Sequence, residues 1–94
     1  MFHIYILVCN DGSFYVGHTY NIQRRLESHN AGAAASHTRD HRPVRLAYSE
    51  SYSTRTAAIQ RERQIKGWTR AKKAALIQGD LIRLRSLARS RRPG

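Results

Sequence analysis

The sequence predicts an α+β domain: a small, three-stranded, mainly antiparallel sheet flanked by helices, in the order β-β-α-β-α-α. Two observations lead to this class. Strand-like and helix-like segments are mixed along the chain instead of alternating strictly, and the first two strand-like segments are separated only by a short turn. A chain of 94 residues fits one domain. We expect residues 1–80 to form it and residues 81–94 to form a basic tail, with a short helix followed by a disordered end.

The first two strands are predicted to form a hairpin. Residues 2–9 are apolar at both alternating positions, as in a central strand, and residues 13–17 are rich in β-forming side chains. A two-residue loop between them would place Tyr5 and Tyr15 on opposite faces of the sheet. A three-residue loop ending at Gly12 would place both on the same face, and a glycine at the third loop position favours this second geometry.

Three helices are predicted, each between a capping residue and a glycine. They are residues 22–30 between Asn21 and Gly32, residues 55–66 between Thr54 and Gly67, and a helix after Thr69 that ends near Gly79. The small, polar and basic residues 31–42 are predicted to form a flexible surface loop. Pro43 opens the third strand, in which Leu46 and Tyr48 alternate with other side chains. From Leu81 onward, the tail could be a helix, a dimer contact or a phosphate-binding arm.

The charge balance predicts a nucleic-acid partner; we expect DNA more than RNA, a preference that the charge alone does not give. Seventeen lysines and arginines face six acidic residues, and the formal net charge is +11. Such a balance is typical of phosphate binding, because each neutralised phosphate releases counterions. A membrane-surface binder would instead place its basic residues on one helix opposite bulky apolar ones, whereas here they are spread over several segments. We expect a monomer or a weak homodimer, and the sequence identifies no protein partner.

The composition also argues against several classes of protein. No run of about 18 apolar residues is present, so no membrane span is expected, and the N-terminal stretch has the pattern of a strand rather than of a signal peptide. Cys9 is the only cysteine, which predicts a buried core thiol in a cytoplasmic protein. The five histidines lack zinc-like spacing.

The predicted helix at 22–30 carries two polar side chains beside its apolar face. Arg25 and His29 share one helical stripe with Ile22 and Leu26. A charged arginine beside the core needs a partner. A snorkelling arginine and a hydrogen-bonded histidine at the helix edge would also explain the stripe, so both interpretations stay open.

A single carboxylate is placed as a candidate metal ligand. Glu62 shares a face of its predicted helix with Ala58 and Ile65, and it is the only acid placed to face inward from a helix. Mg²⁺ usually takes one or two protein carboxylates together with water and a substrate phosphate. One available carboxylate argues against a two-metal site, which needs several acids.

These residues form an ordered pattern that resembles the GIY-YIG nuclease superfamily, in particular its small, stand-alone bacterial members. The pattern consists of His3-Ile4-Tyr5, Tyr15-Val16-Gly17, Arg25, His29 and Glu62. Each triplet is weak alone, whereas the five ordered positions at 5, 15, 25, 29 and 62 are specific. The stretch 61–77 is similar to the ending of that subgroup, and the resemblance covers residues 2–78. His3 replaces the first glycine of the signature and Val16 its second isoleucine, a departure that concerns the backbone near Tyr5.

The resemblance implies metal-assisted attack of water on a phosphodiester, without a covalent enzyme intermediate. Glu62 would hold one Mg²⁺ or Mn²⁺ ion, and Arg25 would offset the charge that develops on the phosphate. Tyr5 would orient or deprotonate the water, although a phenol with a pKa near 10 is a poor base unless its surroundings, including His29, lower that pKa. Tyr15 would hydrogen-bond the phosphate or the water.

A second set of residues would track the nucleic-acid backbone in this interpretation: Arg24, His37, Thr38, Arg39, Arg42, Arg61, Arg63 and Lys66. They contain no evident base-reading code, so weak sequence specificity is predicted. Two other functions stay open. One is a non-catalytic DNA- or RNA-binding module that keeps the same fold, and the other is a basic structural protein without a ligand. The intact set of five site residues favours the endonuclease.

Overall fold

The computed structural model describes residues 1–90 of the chain and confirms the predicted α+β class. Within these residues the elements are β1 (Phe2–Val8), β2 (Phe14–Thr19), α1 (Ile22–Asn30), α2 (Ser36–Asp40), β3 (Arg45–Tyr52), α3 (Arg55–Lys66), α4 (Arg70–Gln78) and α5 (Leu81–Ser90). The predicted caps are present: the side chains of Asn21, Thr54 and Thr69 each accept a hydrogen bond from the first turn of the helix that follows.

The sheet is antiparallel, in the order β2-β1-β3, and β1 is buried on both faces. Ile4 and Ile6 point to one side, where they pack with residues of α3 and α4. Tyr5, Leu7 and Cys9 point to the other side, where Leu26 of α1 and Val44 cover them. This double burial explains why β1 is apolar at both alternating positions. The predicted buried thiol of Cys9 is confirmed.

The hairpin between β1 and β2 has the three-residue loop that the sequence favours. Leu7 pairs with Tyr15, and the backbone N–H of Cys9 donates to the carbonyl of Ser13 over 2.8 Å. Gly12 closes the loop with φ of +85°, a conformation that glycine adopts without steric cost. Facing residues lie on the same side of a sheet, and this register therefore places Tyr5 and Tyr15 on one face.

Two predictions for the segment before and within β3 were wrong. Residues 31–42 are not entirely a loop, because they contain the short helix α2. The third strand begins at Arg45 rather than at Pro43, and a bulge shifts its register: Ile6 lies opposite Tyr48, but Leu7 lies opposite Leu46. The bulge places one extra residue in β3 and breaks the simple alternation.

The C-terminal part of the described chain is the helix α5, which packs on α4 and brings Leu84 against the main core. It agrees with the predicted short helix. The expected disordered end, residues 91–94, lies outside the described residues, and the boundary at residue 80 stays a prediction. Among the residues that the structure describes, no helix has the length and apolar character needed to span a bilayer.

Candidate active site

The candidate site lies along the free edge of β2. Residues that face each other across β1 and β2 share a side of the sheet, so Tyr15 stands beside Tyr5 on the α1 side, and His18 stands beside Ile4 on the α3 side. Glu62 reaches the same edge from α3 and contacts His18. Tyr5 and Tyr15 thus lie on one face of the sheet, and His18 and Glu62 lie on the other.

Gly17 allows Tyr5 to reach this edge. Tyr5 pairs with Gly17 across the two strands, and its ring lies directly over that glycine. A Cβ atom on residue 17 would lie only 2.5 Å from the Tyr5 hydroxyl oxygen and 2.7 Å from Cζ. The close approach leaves no room for a side chain at position 17, which explains the glycine of the Tyr15-Val16-Gly17 triplet in physical terms.

A buried chain of hydrogen bonds orients His29 and Tyr5. The Thr38 hydroxyl donates its one proton to the carbonyl of Ala35 over 3.1 Å, so its oxygen can only accept from Nδ1 of His29, at 2.7 Å. In the neutral imidazole, Nε2 then carries no proton and accepts from the Tyr5 hydroxyl over 3.0 Å. Burial and the nearby charge of Arg25 lower the pKa of His29, and both favour the neutral ring.

The environment of Tyr5 keeps its hydroxyl protonated. Burial, followed by the neighbouring Tyr15, raises the pKa of Tyr5 to about 12. The positive charge of Arg25 and its hydrogen bond to the phenol oppose this rise, and the charge of Glu62 adds to it. Tyr5 is therefore a hydrogen-bond donor to His29.

Tyr15 and Arg25 flank this pair in different ways. The Tyr15 ring lies edge-to-face against His29, with centroids 5.0 Å apart, and it stacks on His37 at 6.4 Å. Arg25 is exposed and lines a groove together with His18 and Arg55, so its guanidinium is accessible to a phosphate from solvent.

Glu62 is the inward-facing carboxylate that the sequence indicated, and its side chain is 11% exposed. Its Oε1 contacts Nδ1 of His18, and its Oε2 lies 2.7 Å from Nζ of Lys66. Burial raises the pKa of Glu62, but the hydrogen bonds from Lys66 and His18 outweigh burial and lower it, so the carboxylate is ionised at neutral pH.

The chemistry of this donor set fits a single hard cation that is shared with substrate. No group of three or more His, Cys, Asp or Glu side chains in residues 1–90 could hold an ion by itself. Glu62 offers one ionised carboxylate, and Mg²⁺ commonly takes one or two carboxylates with water and substrate phosphate as its remaining ligands. A site of this kind is completed by the phosphate rather than by the protein alone.

Most of the residues predicted to contact the nucleic-acid backbone are exposed to solvent, and two are not. Arg24, His37, Arg39 and Arg63 are exposed. Arg42 is also exposed, but its guanidinium donates to the carbonyls of Arg39 and Asn30. Lys66 extends into solvent while it pairs with Glu62.

Two members of that predicted set do not fit a phosphate-contacting role. Thr38 is the fully buried residue of α2, and its hydroxyl hydrogen-bonds His29 in the interior. The half-buried Arg61 is paired within the protein: its Nε and Nη2 donate to the two carboxylate oxygens of Glu50 at 2.9 and 3.0 Å, and its Nη1 donates to Gln64. The expectation that these two side chains contact phosphate is therefore not supported by their positions.

Sequence analysis missed His18, Arg55 and Glu50. His18 follows Gly17 directly, so strand alternation places it on the side of the sheet opposite to Tyr15, away from the tyrosines that mark the site in the sequence. No local pattern signals the pairing of Glu50 with Arg61, because the two residues belong to different elements. Arg55 stands in the first turn of α3, where only the packing of α3 on the sheet brings it into the groove.

Comparison with known proteins shows the family to which this chain is similar. The family model of the GIY-YIG catalytic domain matches residues 1–75. The chain is 45% identical over 77 residues to a UPF0213 protein of Halobacterium salinarum, a match that covers 82% of this chain and all of the relative. It is 46% identical over 76 residues to a UPF0213 protein of Bacillus pumilus, with 81% and 78% covered.

Solved structures show the same fold. The solution NMR structure of a UPF0213 protein from Bacillus halodurans is similar to this chain with a TM-score of 0.56 and 34% identity, and the match covers 85% of this chain and 86% of that one. The solution NMR structure of a protein from E. faecalis is similar with a TM-score of 0.57 and 36% identity, and 85% of each chain is covered.

Proposed function

Because this chain belongs to the GIY-YIG family, we propose that it is a metal-dependent endonuclease that hydrolyses phosphodiester bonds in DNA with weak sequence specificity. The family implies a nuclease-like function; the metal, the substrate and catalysis itself are our proposals. The hydrogen-bonded pair of Tyr5 and His29 lies on one face of the sheet, and the ionised Glu62, whose charge acts on the pKa of Tyr5, contacts His18 of β2; this arrangement supports the proposal most directly.

In the proposed reaction, Tyr5 and His29 move the proton of the attacking water. The water donates a hydrogen bond to the Tyr5 oxygen, whose own proton already points to Nε2 of His29. As the water oxygen bonds to phosphorus, its proton passes to Tyr5 and the phenol proton passes to His29. The phenol therefore never has to persist as a phenolate, which resolves the difficulty that a pKa of about 12 would otherwise create. The bond from phosphorus to the leaving oxygen breaks, and that oxygen takes a proton from solvent.

The other side chains bind and neutralise the phosphate. Arg25 donates from its exposed guanidinium to the non-bridging oxygens, where charge increases during attack. Glu62 would hold one Mg²⁺ or Mn²⁺ ion, which acts as a Lewis acid on the scissile phosphate when bound. His18 and Lys66 keep the Glu62 carboxylate ionised and oriented. Tyr15 covers His29 and limits the access of bulk water to it.

The substrate binds through the exposed basic residues Arg24, Arg39 and Arg63, and we leave Thr38 and Arg61 out of this interface. Backbone contacts of this kind carry no sequence information by themselves, which is the basis for weak specificity. The free, buried thiol of Cys9 suits a reducing compartment, and we propose that the protein works in the cytoplasm.

A non-catalytic nucleic-acid-binding module is the second candidate. Both carboxylate oxygens of Glu62 already have protein partners, His18 and Lys66, and this observation favours a site that keeps its charge without binding a metal.

Cleavage assays separate the two functions. Labelled single-stranded, duplex and branched DNA and RNA are incubated with the wild-type protein and with Glu62→Gln, in Mg²⁺ or Mn²⁺ and in EDTA. Glu27→Gln also replaces a negative glutamate by a neutral glutamine, at an exposed position of α1, and is the matched control. The endonuclease cleaves in metal and not in EDTA, and Glu62→Gln binds without cleaving while Glu27→Gln cleaves normally. Binding without cleavage in every metal identifies the module instead.

A further inference from the structure

Tyr20 is an exposed aromatic ring beside the candidate site. Its residue is 71% exposed, and its ring touches Phe2 edge-to-face, with centroids 5.4 Å apart and planes at 74°. An isolated exposed aromatic ring gains nothing for folding from its free surface, since the hydrophobic effect rewards only the area that is removed from water. Its free face is open to a ligand that stacks on an aromatic ring.

The backbone holds this ring on a rigid corner between β2 and α1. The buried hydroxyl of Thr19 donates to the carbonyl of Asn21 and accepts from its backbone N–H, at 3.2 Å each. The Asn21 side chain in turn caps α1 by accepting from the N–H of Arg24 at 3.0 Å. Both neighbours of Tyr20 are fixed in this way, so the backbone that carries the ring loses little conformational entropy when the ring binds a partner.

Tyr20 also stands between two basic grooves. One groove is lined by His18, Arg25 and Arg55 together with Phe2, Thr19 and Tyr20. The other is lined by Arg24, Arg25 and Ser28 together with Thr19, Tyr20 and Asn21. Neither set of lining residues contains a carboxylate, and Arg25 belongs to both. A ring flanked by cationic grooves is the arrangement by which proteins hold nucleic-acid strands, with bases stacked on the ring and phosphates in the grooves.

We propose that Tyr20 forms a base-stacking subsite for the nucleotide next to the phosphate bound by Arg25, and that Arg55 and Arg24 bind the phosphates on either side of it. This proposal rests on the proposed function, because it takes the Arg25 phosphate to be the scissile one. The ligand is a nucleobase with one free face, since a base that is stacked on both sides within a duplex cannot also stack on Tyr20.

The experiment measures the coupling between Tyr20 and one base. Binding of fluorescent single-stranded oligonucleotides is followed by anisotropy in EDTA, for the wild type, Tyr20→Phe and Tyr20→Ala. A second series of oligonucleotides carries one abasic residue that is moved along the strand. Ile82→Ala, at an exposed apolar position of α5, is the matched control, and far-UV circular dichroism checks that each variant is folded.

Tyr20→Ala is expected to weaken binding about 5- to 150-fold, as removal of a stacking ring does elsewhere, whereas Tyr20→Phe and Ile82→Ala bind like the wild type. One abasic position should produce a similar loss with the wild type and no further loss with Tyr20→Ala. The subsite would be overturned if Tyr20→Ala bound like the wild type or if no oligonucleotide bound at all. It would also be overturned if every abasic position weakened binding by Tyr20→Ala as much as it weakens binding by the wild type. Because this assay contains no metal, it measures binding without cleavage; coupling here, together with no cleavage in the separate assays with Mg²⁺ or Mn²⁺, would refute the nuclease and leave the subsite standing.

Discussion

The Tyr5 hydroxyl donates a hydrogen bond to Nε2 of His29 over 3.0 Å, and the rest of the network sets the direction of this bond. The Thr38 hydroxyl donates to the carbonyl of Ala35, so its oxygen accepts from Nδ1 of His29. Nε2 of His29 is then the unprotonated nitrogen that acts as the acceptor. The proton of Tyr5 therefore points to Nε2 of His29. A phenol in this state can take a proton from water only by passing its own to His29.

The pH dependence of cleavage should report the charge on His29. The proposed proton transfer needs a neutral His29, so the rate should rise with pH as this group loses its proton. Burial, as the larger cause, and the charge of Arg25, as the second cause, lower the pKa of His29 below its ordinary value near 6.5. Arg25→Met removes the positive charge, so the acidic limb of the profile should move to higher pH, in addition to an overall loss of rate. Single-turnover rates between pH 4.5 and pH 8 measure this, and an acidic limb that stays in place or moves to lower pH would contradict the role of His29.

Gly17→Ala should disturb Tyr5 directly. The new Cβ would lie 2.5 Å from the Tyr5 hydroxyl oxygen, so the ring must move, and overpacking of this kind costs about 1–3 kcal/mol. We expect a lower free energy of unfolding in urea titrations and a loss of cleavage. Gly67→Ala is the matched control, because its Cβ would have no neighbour closer than 3.6 Å and its φ of −79° suits alanine. Equal effects of the two substitutions would show that Tyr5 does not depend on the close approach.

Glu50→Gln should destabilise the fold through Arg61. Glu50 accepts hydrogen bonds from Arg61, Tyr48 and Tyr52, which anchor α3 to β3. Breaking a partly buried pair of this kind should cost about 1–3 kcal/mol at pH 7, measured by urea unfolding, because it leaves Arg61 without its counter-charge. Glu27→Gln, at an exposed position, should cost much less.

The cost of Glu50→Gln should also depend on pH. Burial raises the pKa of Glu50, but hydrogen bonds from Arg61, Tyr48 and Tyr52 outweigh burial and lower it. A carboxyl whose pKa is lower in the folded state contributes stability above its unfolded pKa of about 4.3 and loses that contribution as pH falls through the folded value. The difference in unfolding free energy between the wild type and Glu50→Gln should therefore shrink below about pH 4. A difference that is constant from pH 7 to pH 3 would contradict this account of the cluster.

Lys66→Met should strengthen the binding of a divalent ion. The ammonium of Lys66 lies 2.7 Å from Oε2 of Glu62, where it competes with a cation for the carboxylate. Mn²⁺ affinity in the presence of a non-cleavable oligonucleotide, measured by calorimetry, should rise several-fold. Arg85→Met removes a charge from an exposed position of α5, outside the proposed interface, and controls for the change in overall charge. Weaker Mn²⁺ binding by Lys66→Met than by Arg85→Met would show that Lys66 supports the metal site rather than competes for it.

The sequence was sufficient to predict the tyrosine pair, because hairpin register follows from loop length and Gly12 indicated the three-residue loop. It was not sufficient for α2, whose small and polar residues carry no helical periodicity. The one fully buried residue of α2, Thr38, is buried because His29 binds it, and a contact between two elements leaves no local pattern in the sequence.

The charges show the same limit. Composition indicated a basic surface, but not which arginines belong to it. Arg61 forms an ion pair with Glu50 and does not belong to the basic surface. Arg55, which no motif indicated, lines the groove together with Arg25. Helical spacing correctly placed Glu62 inward, yet the approach of its carboxylate to His18 depends on how α3 lies across β2. Periodicity predicts which face a residue occupies, whereas packing between elements determines its partner.

The single-turnover rate of DNA cleavage by Tyr5→Phe and His29→Phe tests the central claim most directly, that Tyr5 and His29 act as one proton-transfer unit. Each variant should lose about 100- to 10,000-fold in rate, and the double variant should lose little more than either single variant, while the dissociation constant for DNA stays at the wild-type value. Losses that multiply in the double variant, or a wild-type rate in either single variant, would contradict it.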